Sequence, residues 1–114
     1  AREIVPQLTE PFVAWCVSRH LRKCAGLFLS ASMPCRDLDT FADTEGGGGG
    51  ASVGERGDGQ AVASNRGASG IDGVISSAVG YAAGLDAPVT LLIGDMATLH
   101  DIGSLHVLNG RRQR

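Results

Sequence analysis

Asp95 follows Gly94 at the end of an apolar run from Pro88 to Ile93. A carboxylate beside such a run is expensive to bury unless a cation neutralises it. Two readings stand open. One is a Mg²⁺ ion bridging to a phosphate, because hard cations take carboxylate oxygens and complete their shell from phosphate and water. The other is an aspartate capping the helix that follows. Arg36 and Arg66 lie beyond two other short apolar runs. They are either two guanidinium forks able to hold carboxylates in bidentate pairs, or two solvated surface charges. Gly67, Gly70 and Gly73 recur at every third residue. That spacing supplies free backbone N–H groups near a helix start for an anion, or else lets a helix pack closely. It is not the G-x-G-x-x-G of a dinucleotide site, and no acidic residue follows at the expected strand end, which argues against a nucleotide-binding oxidoreductase domain. His100, Asp101, Ser104 and His106 have the residue types of a hydrolase triad. They fall on one expected helix without a G-x-S-x-G elbow, so that chemistry is set aside.

The elements that must position these groups alternate. Phe12, Val13, Trp15, Cys16, Val17 and Leu21 recur at helical spacing, with Arg19, His20, Arg22 and Lys23 toward the end, where cations suit the helix dipole. A helix over 9–24 is expected, with Thr9 as N-cap and Pro11 in the first turn. Leu27 to Leu29 reads as a buried parallel strand, 30–34 as the loop at its carboxyl end, and 36–42 as a short helix. A strand over 61–63 precedes a small-residue helix over 71–83. Residues 88–93 form the clearest strand, and a last helix spans 99–108. This order gives the fold class as α/β, a parallel sheet with flanking helices. Ligands in such sheets sit beyond the carboxyl ends of the strands, where the clusters at 32–36, 64–67 and 94–95 all fall.

With 114 residues and a net charge of −2, the chain is sized for one modest core, and its charge favours neither nucleic acid nor a membrane surface. Cys16, Cys24 and Cys35 are odd in number and lack C-x-x-C spacing, so reduced thiols in an intracellular compartment are expected. The absence of Met at position 1 and of a signal pattern favours a soluble fragment or processed chain. Residues 44–60 are glycine-rich and polar, which favours a disordered surface loop. The Arg56-Gly57-Asp58 tripeptide within it is read as a chance occurrence.

Three ordered segments carry a resemblance: Ser32-Met33-Pro34-Cys35-Arg36-Asp37, the run from Ser64 to Gly73 (SNRGASGIDG), and Gly94-Asp95-Met96-Ala97-Thr98-Leu99-His100-Asp101. Together they resemble the C-terminal domain of the 2-succinyl-5-enolpyruvyl-6-hydroxy-3-cyclohexene-1-carboxylate synthases. The resemblance implies a homo-oligomeric enzyme, dependent on thiamine diphosphate and Mg²⁺, that decarboxylates 2-oxoglutarate and adds the succinyl semialdehyde unit to isochorismate on the way to menaquinone or phylloquinone. In such an enzyme the cofactor does the hard chemistry while the protein orients and neutralises charge. The chain is then an incomplete diphosphate-binding domain: residues 1–26 a preceding helix, 27–110 the partial domain with its loop at 44–60, and 111–114 a basic tail.

Residue by residue, the resemblance makes Asp95 a Mg²⁺ ligand and Gly94 the point where backbone approaches the diphosphate. It makes Ser32, Arg36 and Arg66 substrate-binding residues, and Ile71 an apolar neighbour of the cofactor. The chain departs from the family at Ala31, Ala97 and Gly103, each of which lacks a polar side chain common there. Further Mg²⁺ ligands and the cofactor-activating glutamate are expected from segments this sequence does not contain, so the chain alone is expected to be inactive. A non-catalytic pseudo-domain pairing with a complete paralogue is the alternative. The pathway and the glycine-rich insertion favour a chloroplast location in a plant or alga, with the cytoplasm as the bacterial counterpart.

Overall fold

The computed structural model describes residues 8–20, 26–42, 61–65 and 70–109. The expected loop at 44–60, the 111–114 tail, Cys24 and Arg66 lie outside the described residues. Three strands, β1 (Gly26–Leu29), β2 (Ala61–Ser64) and β3 (Val89–Leu92), form a fully parallel sheet in the order β2-β1-β3. The expected α/β class holds. In register, Leu27 stands between Val62 and Thr90, and Leu29 between Ser64 and Leu92.

Apolar runs without alternation need cover on both faces, and β1, central in the sheet, is buried along its whole length. Successive side chains of a strand point to opposite faces, which sorts the core into two halves. Leu27 and Leu29 join Ala14, Leu38 and Val62 beneath α1 (Glu10–His20) and α2 (Met33–Phe41). Phe28 points the other way, its ring 5.7 Å from that of Tyr81 on α3 (Val74–Leu85).

Thr9 caps α1 as expected, its hydroxyl accepting from the Phe12 N–H at 3.4 Å. The inward face of α1 differs from expectation. Ala14 and Ser18 are buried, whereas Phe12 and Trp15 stack on the outer side, their centroids 5.8 Å apart, with the Arg19 guanidinium 5.2 Å from the Trp15 ring. Close packing of α1 against α2 selects small residues, and the large rings are left to cover each other.

Two boundaries also move. The expected loop at 30–34 ends early, because the Ser32 hydroxyl accepts from the Met33 N–H at 2.6 Å and opens α2 there, with Pro34 tolerated near the start. Arg36 therefore sits one turn into the helix rather than at its first residue. The expected last helix begins earlier and divides into α4 (Asp95–His100), a 3₁₀ turn (Ile102–Leu105) and α5 (His106–Asn109). The break falls at Asp101, whose side chain turns away to the start of α3.

Gly26 opens β1 where side chains of α3 pack over it. A Cβ there would lie 2.9 Å from both Leu85 Cδ1 and Val89 Cγ2. Gly73, at φ 68°, takes the left-handed conformation before α3 that a side chain would resist. No helix among the described residues is long and apolar enough to cross a membrane.

Candidate functional site

The strand order defines where a ligand can sit. From β1 the chain passes to β2 on one side and later returns to β3 on the other, so the loops leaving β1 and β3 diverge. A crevice opens between them at the carboxyl rim, the position at which doubly wound sheets bind their ligands. The Ser30 N–H donates to the Leu92 carbonyl at 2.9 Å and closes the floor of this crevice.

A cleft of about 610 Å³ occupies the site. Its walls are the β1–α2 turn, the β3–α4 turn, the start of α1 and the Gly70-Ile71 segment. Of the residues expected from sequence, Ser32, Ile71, Gly94 and Asp95 all line it. Arg36 does not; it is exposed on α2. Arg66 lies outside the described residues, so a meeting of the two guanidinium groups is not observed.

Asp95 is the first residue of α4 and is exposed at the cleft. Its Oδ1 accepts from the Met96 N–H at 2.7 Å. The cap position itself is held by Gly94, so Asp95 stands inside the first turn rather than capping it; the carboxylate is not buried, so neutralisation is not forced on it by desolvation. Gly94 has ordinary extended backbone, φ −75° and ψ 162°, and a Cβ placed on it would meet nothing within 4 Å. Nothing among the described residues demands glycine there. Ser32 is exposed, and its hydroxyl is engaged in the cap at Met33.

The electrostatics of the lining are one-sided. Glu10 and the buried Asp37 join Asp95, and among the described lining residues there is no Lys, Arg or His. Such a wall attracts a cation and repels a bare anion. No three metal-binding side chains among the described residues converge. The donor set therefore fits a hexacoordinate hard cation only if phosphate oxygens and water supply most of its shell, which is the usual habit of Mg²⁺.

Sequence reasoning missed Asp37, Glu10 and Thr9 as cleft residues, because their placement depends on how α1 packs against α2. It also missed the role of Asp101. That carboxylate is buried, its Oδ2 accepting from the Ile75 N–H at 2.7 Å and its Oδ1 from the Ser104 hydroxyl at 2.5 Å. The Ser104 hydrogen bond holds its pKa below the usual carboxylate value. Backbone N–H groups of Ile75, Gly73 and Ser76 act in the same sense, against the opposing effect of burial. His100 and Ser104 do not form a triad with it. His100 Nε2 instead faces Asp72 Oδ1 at 3.4 Å, in solvent. Cys16 and Cys35 form no disulfide.

No family model matches the chain, and no solved structure matches it. Individual relatives do. A 2-succinyl-5-enolpyruvyl-6-hydroxy-3-cyclohexene-1-carboxylate synthase of Rubrobacter xylanophilus is 52% identical over 103 residues, which is 90% of this chain and 16% of that protein. Synthases of the same name from Prosthecochloris aestuarii (50% identical, 89% of this chain, 16% of that protein) and Chlorobium phaeobacteroides (46%, 93% and 17%) agree. The chain thus spans about one-sixth of the length of these relatives. All three are bacterial, which gives the expected plant or algal origin and chloroplast location no support. Over nine-tenths of its length the chain corresponds to one segment of the 2-succinyl-5-enolpyruvyl-6-hydroxy-3-cyclohexene-1-carboxylate synthase family.

Proposed function

We propose that this segment forms the metal- and diphosphate-binding rim of a thiamine-diphosphate-dependent synthase of menaquinone biosynthesis, acting on 2-oxoglutarate and isochorismate in a bacterial cytoplasm. The observation that carries the reading is that Ser32, Ile71, Gly94 and Asp95, drawn from three separate sequence segments, line one cleft at the β1/β3 switch point.

Asp95 offers a carboxylate oxygen to Mg²⁺, while its Oδ1 contact to the Met96 N–H fixes the orientation of the group. Gly94 leaves open space where the backbone can approach a diphosphate without a Cβ in the way. Ile71 supplies an apolar wall for the aromatic part of the cofactor, and Ser32 at the start of α2 a hydroxyl toward the substrate side. When bound, thiamine diphosphate supplies the electron sink for decarboxylation and carbon–carbon bond formation. The remaining groups, including Arg66, further metal ligands and a second subunit of a homo-oligomer, complete the site in this reading. Because the chain spans about one-sixth of its relatives, it is expected to be inactive alone.

Calorimetric titration with Mg²⁺ and thiamine diphosphate tests this in a complete synthase carrying the segment. Saturable binding is expected, weakened at least about tenfold by Asp95→Asn, a loss of about 1.4 kcal/mol. Absence of binding by the unsubstituted synthase, or an Asp95→Asn variant that binds equally well, overturns the reading.

A further inference from the structure

Helix α3 begins at Gly73, which has no side chain to satisfy the N–H groups of its own first turn. Asp101 does so instead, from 26 residues further along the chain, through Oδ2 to the Ile75 N–H. An anion at that end of the helix also meets its dipole favourably. The same carboxylate is held on its other side by the Ser104 hydroxyl, and the neighbouring His100 reaches Asp72 along the same seam. These contacts join two walls of the cleft. Asp95 opens α4 at one wall, and Gly70 and Ile71 lead into α3 at the other.

We infer that Asp101 is a positioning residue: its carboxylate fastens the far end of α4 to the start of α3 and so fixes the direction in which Asp95 is presented opposite Ile71. Strand β3 holds the near end of α4, and Asp101 holds the far one. A helix of six residues is about 9 Å long, so a tilt of about 10° shifts one end against the other by roughly 1.5 Å. Misplacements of that size cost active sites on the order of 100-fold.

The functional consequence rests on the cofactor reading above, whereas the contact itself does not. The test therefore has two arms. In the 114-residue chain, residual dipolar couplings compare the N–H vectors of α4 with those of β1 for the parent, Asp101→Asn and Ser104→Ala. In Asp101→Asn the β1 couplings are expected to persist while those of Met96 to His100 change; Ser104→Ala is expected to change them less. A role confined to stability would lower the urea midpoint and leave the α4 couplings unaltered, and that result overturns the inference. If Asp101→Asn does not fold, Ser104→Ala decides: unaltered α4 couplings overturn the proposal, and altered ones support it.

The second arm measures Mg²⁺–thiamine diphosphate affinity in a complete synthase carrying the segment. Asp101→Asn is expected to lose at least about tenfold, with Ser104→Ala between it and the parent. An unsubstituted synthase that binds nothing counts against the cofactor reading and leaves the couplings to judge the clasp. Undiminished affinity in Asp101→Asn overturns the positioning role.

Discussion

Gly26→Ala is a sharp test of how β1 and α3 fit together. The added Cβ would lie 2.9 Å from Leu85 Cδ1, 2.9 Å from Val89 Cγ2 and 3.4 Å from Tyr81 Cε1. Leu85 is 38% exposed, so the end of its side chain can swing outward at small cost. Val89 cannot follow. It is β-branched, stiff at χ1, and sits in register beside Gly26 on the neighbouring strand. Overpacking of this kind costs about 1–3 kcal/mol. Against it, removing glycine from the unfolded chain contributes about 0.4–1 kcal/mol of stability. The expected net effect is a loss of about 0.5–2 kcal/mol. Urea denaturation followed by Trp15 fluorescence and far-ultraviolet circular dichroism measures it, with an unchanged slope as the sign that only stability has moved. Val89→Ala should relieve the clash, so the double variant should recover about 0.5–2 kcal/mol relative to additivity. A Gly26→Ala chain as stable as its parent, or a Val89→Ala background that leaves the cost intact, refutes the packing argument.

Other outcomes follow from the same structure. The pKa of Asp101 is lower in the folded chain than its ordinary value of 3.8, so between the two values the unfolded chain binds more protons. Its contribution is therefore fully present above about pH 5 and lost as the pH falls through the folded pKa. Stability measured by denaturation from pH 6 downward should decline, and Asp101→Asn should show a shallower decline over the same window. Leu27→Ala removes a side chain with no solvent exposure from the centre of the sheet and should cost about 2–5 kcal/mol in the same urea assay.

The α/β alternation and all three strands were legible in the sequence because short apolar runs bounded by polar clusters leave few alternatives in a parallel sheet. The convergence of Ser32, Ile71, Gly94 and Asp95 was legible for the same reason: a parallel sheet brings every strand's carboxyl end to one rim. What was not legible depends on contacts between elements distant in sequence. The hydrophobic pattern of α1 did not distinguish its inward face, since Phe12 and Trp15 stack on one another while Ala14 joins the core cluster and Ser18 is buried. The division of the last helix was equally hidden. It arises because Asp101 serves the first turn of α3, and nothing near residue 101 reveals that Gly73 lacks a cap. The start of α2 was placed at Arg36, three residues late, because the apolar spacing of Leu38 and Phe41 does not reveal the Ser32 cap.

The charge on the cleft narrows what its ligand can be. Glu10, Asp37 and Asp95 place three carboxylates around the walls, with no basic residue among the described lining. A diphosphate approaching the described walls alone would meet like charge, with no basic residue among them to offset it. A divalent cation reverses the sign of the interaction. It draws on the protein carboxylate for one ligand and on phosphate oxygens and water for the others, so the metal and the anion are held only together. In the proposed reading the rim receives a metal-bridged anion, with Asp95 offering the carboxylate and Gly94 the open space beside it.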